Sequence, residues 1–272
     1  MLHAAVKPLE DSDNMKNSFL LYWTRVFTIV ELEARKLRQD PTELLMRGVQ
    51  PALWLLIFGQ AFSRIRGIPT DGISYMAFLT PGILAQSITF ISIFFGIAII
   101  WEKDMGLLQK VLTTPIRISS LVLGKMFSAS LRSISQLIVI ILLALLLGVR
   151  LHWGIGNILG VCFSVIVGAS FFSGLSMVLA SLMRTRERMM GIGQLITMPL
   201  FFSSNALYPL SIMPAWLKVV AMMNPMSYLV DSLRILLVGT VSSQLLLDWG
   251  VLIGACGLIL FLNTRLFKRI TN

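Results

Sequence analysis

Between Gly72 and Trp101 no residue carries a charge, and no other property of this sequence narrows its fold so far. A helix needs roughly 20 apolar residues to cross the hydrocarbon of a bilayer. Only helices and closed barrels satisfy their own backbone there. Five more uncharged windows lie at 48–63, 133–149, 151–183, 189–217 and 249–264. The windows at 72–101, 151–183 and 189–217 are long enough unaided. The other three reach span length by extending into flanking residues that snorkel to the interface. Of the 272 residues only 13% are charged and 56% are hydrophobic, whereas soluble domains are roughly 25% charged. The sequence predicts an all-α polytopic membrane protein with six transmembrane helices.

The net charge of +10 would suggest nucleic acid in a soluble protein, but here placement decides. With both termini on the cytoplasmic side, sixteen of the 23 Lys and Arg fall on inner segments and five on outer loops. That asymmetry fits the positive-inside rule. It predicts a multi-pass protein of the cell inner (plasma) membrane with no nucleic-acid partner. Lys125 and Arg132 complete the count. They lie seven residues apart near the inner surface, where snorkelling explains both. Residues 1–17 are polar and hold no apolar core of a cleavable signal, so an uncleaved N-terminus is expected. Cys162 and Cys256 fall inside spans without ligand spacing and read as small core residues.

Taken in order, residues 1–43 form a cytoplasmic N-terminus. Within it, 18–38 is amphipathic: Leu20, Trp23, Phe27, Val30 and Leu37 oppose Arg25, Glu31, Arg35, Lys36 and Arg38. Such a helix lies along the inner membrane surface; the alternative is a plain extension of span 1. Asp40-Pro41-Thr42-Glu43 reads as a helix start. The transmembrane domain covers 44–267, with spans at 44–62, 75–100, 119–148, 155–182, 191–207 and 249–267, and 268–272 is a cytoplasmic tail. Gly168, Ala169, Ser170, Ser173 and Gly174 give the fourth span a close-packing face. Within 208–247, Pro214 opens one short helix and Asn224-Pro225 another. Neither is long enough to cross, so both are expected to be interfacial or re-entrant on the outer side, with Asp231 and Arg234 as an i,i+3 pair.

The stretch Trp101–Arg117, within the inner loop 101–118, joins the second and third spans. Its charges Glu102, Lys103 and Asp104 precede Leu107, Leu108, Val111 and Leu112 at helical spacing, and Pro115 ends the segment. A polar helix between two spans can receive force from a soluble partner, although an ordinary solvated loop fits the pattern too. Catalytic constellations are missing from the sequence. Gly124-Lys125 is followed by Met126, with Ser at position 119, so it is no phosphate-cradling loop. His3 and His152 stand alone, and no metal site or cofactor is expected in this chain. The middles of the expected spans lack acidic residues, which argues against a carrier driven by an ion gradient. A membrane-embedded lipid enzyme would need clustered acids or histidines. Energy for transport must then come from another subunit.

The order of elements resembles the permease subunit of a type-2 ATP-binding-cassette (ABC) exporter, most like the daunorubicin-resistance-type drug efflux permeases. The matching pieces are RQDP (38–41), YMAFLTPGILA (75–85), WEKDMGLLQKVLTTPI (101–116), SNALYPLSIMPAWL (204–217) and NPMSYLVDSLR (224–234). One departure stands at 102–106, Glu-Lys-Asp-Met-Gly, where the family usually shows an acidic-arginine-glycine run. The resemblance implies six spans, two permease copies as a homodimer or heterodimer, and two ABC ATPase subunits on the cytoplasmic side that carry the ATP and Mg. It implies that Leu107, Leu108, Val111 and Leu112 pack on the ATPase, that Glu102, Lys103, Asp104 and Lys110 set polar contacts, and that Pro115 ends the coupling helix. Relatives divide between drugs or lipids and polysaccharides as cargo. The Phe-rich spans (Phe94, Phe95, Phe171, Phe172, Phe201, Phe202) lean toward an amphiphilic cargo, although any one of these rings also fits a packing role. An ion-coupled secondary carrier is the remaining alternative.

Overall fold

The computed structural model describes residues 9–39, 41–63, 72–106, 110, 113, 118–183, 185–239 and 244–271. All regular structure among them is helical. The helices are α1 (Leu9–Gln39), α2 (Pro41–Ser63), α3 (Tyr75–Asp104), α4 (Ile118–Leu146) and α5 (Ile155–Leu182). They continue as α6 (Arg186–Phe202), α7 (Ala215–Met223), α8 (Pro225–Val238) and α9 (Leu245–Thr271), with a short 3-10 turn at Leu210–Ile212.

Among the described residues four helices are long and apolar enough to cross a membrane: α3 over Tyr75–Glu102, α4, α5, and α9 over Leu245–Leu266. The apolar part of α2 is shorter, Gly48–Phe62, and α6 has 17 residues. The sequence places the end of the fifth span at Leu207, but the helix stops at Phe202. Pro199 weakens its last turn, and 203–207 turns away to pack on α8. Its start also differs. The stretch 186–190, read as an inner loop, is already the first turn of α6, whose N-cap Thr185 accepts from the Arg188 N–H at 3.4 Å.

The hub of the bundle is α5, which packs against α3, α4, α8 and α9. Between helices in lipid, apolar burial alone gains little, so close approach and interhelical hydrogen bonds hold the bundle. Both occur here. A Cβ on Gly168 would meet Leu229 of α8 at 2.8 Å. The Ser173 hydroxyl donates to the Met126 carbonyl of α4 (3.3 Å), Ser176 to the Ile93 carbonyl of α3, and the Asn263 amide of α9 to the Gly174 carbonyl (2.8 Å). Pro81-Gly82 sits near the start of α3, and a side chain on Gly82 would collide with the Ala206 backbone.

The two short helices between α6 and α9 differ in depth. Most of α7 is exposed, including Trp216, Val219 and Met223, with only Ala221 buried. In contrast, α8 is sunk into the bundle, where Met226, Leu229, Val230 and Leu233 are fully buried. Asn224 caps α8 by accepting from the Met226 N–H (2.9 Å), Pro225 takes the first helical position, and Gly239 ends it at φ 77°.

The sequence expectation for α1 needs correction. It runs from Leu9, farther than 18–38, and its packed face is Val26, Ile29 and Glu33 against α4. Leu20 and Phe27 point outward, 63% and 64% exposed. The helix therefore docks on the bundle with one stripe and leaves Leu20 and Phe27 exposed on another.

Candidate functional site

Two buried polar clusters lie at opposite ends of the bundle. The one at the end expected to face the cytoplasm, the inner cluster, forms where α1, the last turn of α3 and the start of α4 meet. Glu102, expected in a loop, lies in that last turn of α3. The Lys125 ammonium donates to both Glu102 carboxylate oxygens (2.7 Å each) and to Glu33 (2.8 Å). Lys36 bridges the same two glutamates at 3.0 Å each, and Arg132 reaches Glu33 at 3.4 Å. Lys125 and Arg132 also lie over the Phe95 ring, 5.9 and 5.0 Å from its centroid. Snorkelling is thus the wrong account of these two cations. Lys125 is only 7% exposed and Glu33 3%, and buried charges persist when paired. Gly124 makes the contact possible, because a Cβ there would sit 2.9 Å from Ile29 of α1.

Burial pushes the Glu33 carboxyl up, but Lys125 and then Lys36 prevail and hold it at about 2. Burial likewise works against the Lys36 ammonium, yet Glu33 and Glu102 hold its proton more tightly than usual. The cluster is a clamp joining three helices through shared charge as well as close packing. Glu33 escapes a reading of the polar face of α1 because that face is counted from the exposed Glu31 and Arg35. The available signal is that Glu33 continues the Val26 and Ile29 stripe, while Lys125 and Arg132 demand an acid.

Beyond the clamp, Met105 and Gly106 end α3, with Gly106 at φ 69°. The Lys110 N–H donates to the Gly106 carbonyl (3.2 Å) and the Thr113 hydroxyl to the Lys110 carbonyl (2.7 Å). Asp104 and Lys110 are exposed. Leu107, Leu108, Val111, Leu112 and Pro115 lie outside the described residues, as does the side chain of Lys103.

The outer cluster, at the opposite end, joins α8 to α3 and the turn after α6. Asn205 donates to Asp231 (2.6 Å), and Arg234 reaches Asp231 (3.3 Å) and the Asn205 carbonyl (2.8 Å). The Arg234 guanidinium lies over the Phe78 ring at 3.9 Å. The expected Asp231–Arg234 pair is present, with the Arg234 side chain buried and that of Asp231 34% exposed. Asn205 is a member that sequence reasoning missed.

The phenylalanines divide. Phe95, Phe171, Phe172 and Phe201 are buried in the core of a single copy, Phe172 and Phe201 completely. Phe94 is half-buried against Phe90 (4.4 Å between centroids), and Phe202 is 44% exposed. Among the described residues no group of three or more His, Cys, Asp or Glu is placed to hold a metal ion.

Residues 24–238 match the family described as ABC-2 type transporter. Over 234 residues the chain is 29% identical to ycf38 of Cyanophora paradoxa, described as a transport permease, covering 84% of this chain and 78% of that one. It is 26% identical over 200 residues to the daunorubicin resistance ABC transporter permease protein DrrB1 of Streptomyces coeruleorubidus, covering 74% and 70%. Nodulation protein J of Bradyrhizobium diazoefficiens is 27% identical over 251 residues, covering 91% and 93%. The matched segment takes in the docked half of α1, the charge clamp, the hub and the sunken α8, and the chain belongs to the ABC-2 type transporter family, as a membrane-embedded subunit of an ABC transporter.

Proposed function

We propose that this chain is the permease of an ATP-driven exporter, with six spans, both termini cytoplasmic in the inner (plasma) membrane, and a second permease copy beside it. Its cargo is an amphiphilic, drug-like or lipid-like molecule taken from the cytoplasm or inner leaflet. Two copies of a separate ABC ATPase bind ATP and Mg and dock on the stretch Trp101–Arg117. Leu107, Leu108, Val111 and Leu112 pack on the ATPase, Lys103, Asp104 and Lys110 set the polar contacts with Glu102 behind them in the clamp, and Pro115 ends the segment. In this reading α2 and α6 complete the six spans, helped by flanking residues. The relative named for daunorubicin resistance supports the cargo class. Phe94 and Phe202 are the path residues that keep exposed surface.

The observation that carries the reading is the charge clamp. The loop leaves α3 one turn after Glu102, and Glu102 is tied through Lys125 to α4 and through Lys36 to α1. A push on the loop tip is therefore delivered to three helices together instead of being absorbed by one flexible joint. ATP closure would shift the tip and open a route between the two permease copies, a population shift that needs no covalent chemistry in this chain. Leu108→Asp tests it in proteoliposomes with the partner ATPase. ATP hydrolysis should persist, export should fall to background, and membrane insertion should be normal. Unchanged export, or labelling of residue 108 from the outer side of the membrane, overturns the proposal.

A further inference from the structure

A cavity of about 80 Å³ lies at the end of the bundle opposite the charge clamp, where α4, α5 and the end of α8 meet. Its apolar walls are Leu137 and Ile141 of α4, Val161 of α5, Leu237 of α8, and Leu151. The hydrogen-bonding side chains that line it are His152 and Trp153, in the link between α4 and α5, and Asn157, in the first turn of α5. Trp153 is 58% exposed and Ile158, another lining residue, 46%, so the cavity opens to the surface. The link is fixed from α8. The His152 N–H donates to the Leu237 carbonyl (2.8 Å), and the His152 imidazole lies against Gly239, where a Cβ would meet it at 2.7 Å.

Such a cavity suits water badly, because apolar cavities stay dry. Left empty, it forfeits the dispersion contacts of every atom that lines it. In a bilayer the material at hand to fill it is an acyl chain. Charge at the mouth then selects the headgroup. Among the described lining residues none is acidic, and 149–186 holds no Asp or Glu. The mouth instead carries the N–H groups of His152, Trp153 and Asn157, and the exposed Arg150 directly precedes this wall. Donors and a cation without a competing acid fit a phosphate. We infer that the cavity is a binding site for an anionic phospholipid. One acyl chain enters between α4 and α5, and the headgroup phosphate rests on the rim formed by His152, Trp153 and Asn157, beside Arg150. The lipid fills the gap that α4 and α8 both line. The site is separate from the stretch Trp101–Arg117, and its occupation needs neither ATPase nor cargo.

The full chain in phosphatidylcholine nanodiscs tests this, with a trace of phosphatidylglycerol that carries a diazirine at one chain end. After photolysis, peptide mapping should place the label on Leu137, Ile141 and Val161 in preference to Ile138 and Leu142, which are exposed on α4. Excess unlabelled phosphatidylglycerol should remove that label, and free fatty acid should not. Val161→Phe, which fills the cavity, should lower wall labelling to the level of the exposed residues. Arg150→Glu should weaken the competition severalfold. The inference is overturned if labelling is even over α4, if phosphatidylglycerol does not compete, or if wall labelling survives in folded Val161→Phe. Equal competition by fatty acid, or unchanged competition in Arg150→Glu, overturns it too, since the headgroup would then play no part. The competition arm reads the wild type and decides the matter even if Val161→Phe does not fold.

Discussion

The inner and outer clusters solve the same problem, charge inside a membrane protein, in opposite ways. At the inner end three cations, Lys36, Lys125 and Arg132, surround two carboxylates, and both glutamates are engaged by more than one cation. At the outer end one guanidinium pairs with one carboxylate, Asp231, and a neighbouring amide and an aromatic face complete the cluster. The inner cluster joins elements adjoining the stretch Trp101–Arg117 through many shared contacts, and Lys125 makes three of them. The outer one joins a sunken half-helix to its neighbours through a single ion pair. Shared contacts suit a joint that transmits force, and a single pair makes the other joint depend on one charge.

That contrast can be broken experimentally, beginning with the largest effect. Lys125→Met leaves Glu33 and Glu102 leaning on Lys36 and Arg132 and should destabilise the protein by about 3 kcal/mol. Thermal unfolding measures it, and amide exchange should show α1 released before the hub. Should α1 stay protected, charge is not what docks it. Gly82→Ala follows, at about 1–3 kcal/mol for overpacking against the Ala206 backbone. A lowered melting midpoint with unchanged α1 exchange would confine that damage to the outer end.

The pH response sharpens the comparison further. Because the Glu33 carboxyl is held at about 2 in the folded protein, against an ordinary value near 4.5, its stabilisation is complete above the ordinary value. It is lost as pH falls from there toward about 2. Acidification should therefore free α1, as amide exchange would report, and Glu33→Gln should remove that acid transition. The smallest effect is expected for Glu31→Ala on the same helix. Its partner Arg35 is 2.7 Å away, but both side chains are more than 60% exposed, and such pairs contribute about 0.3–0.5 kcal/mol. A cost rivalling that of Lys125→Met would show that burial is not what separates the two pairs.

How much of this could be read from residues alone depended on periodicity. The fourth expected span coincides with α5, because a charge-free run bounded by Gly154 and Met183 leaves little latitude. Asn224-Pro225 and Pro41 likewise mark helix starts where local chemistry dictates them. The roles of Glu33 and Asn205 were invisible because Lys125, Arg132 and Asp231 lie 26 to 99 positions away in sequence, and no local pattern encodes such a meeting. Lys125 was misread for a related reason. Snorkelling is a property of one helix in lipid, whereas its true environment is set by α1 docking over it. The short α6 was extended too far because hydropathy alone does not register the turn that Asn205 needs to reach Asp231.

The hub carries one more consequence. The side chains that fasten α5 and its neighbours, Ser130, Ser173, Ser176, Asn263 and the thiol of Cys256, donate to main-chain carbonyls of Ile166, Met126, Ile93, Gly174 and Val167. A carbonyl is the same whatever residue bears it. The receiving positions are thus free to drift in side-chain identity while the fastening survives, and a bundle keyed in this way can diverge widely in sequence before its helices change places.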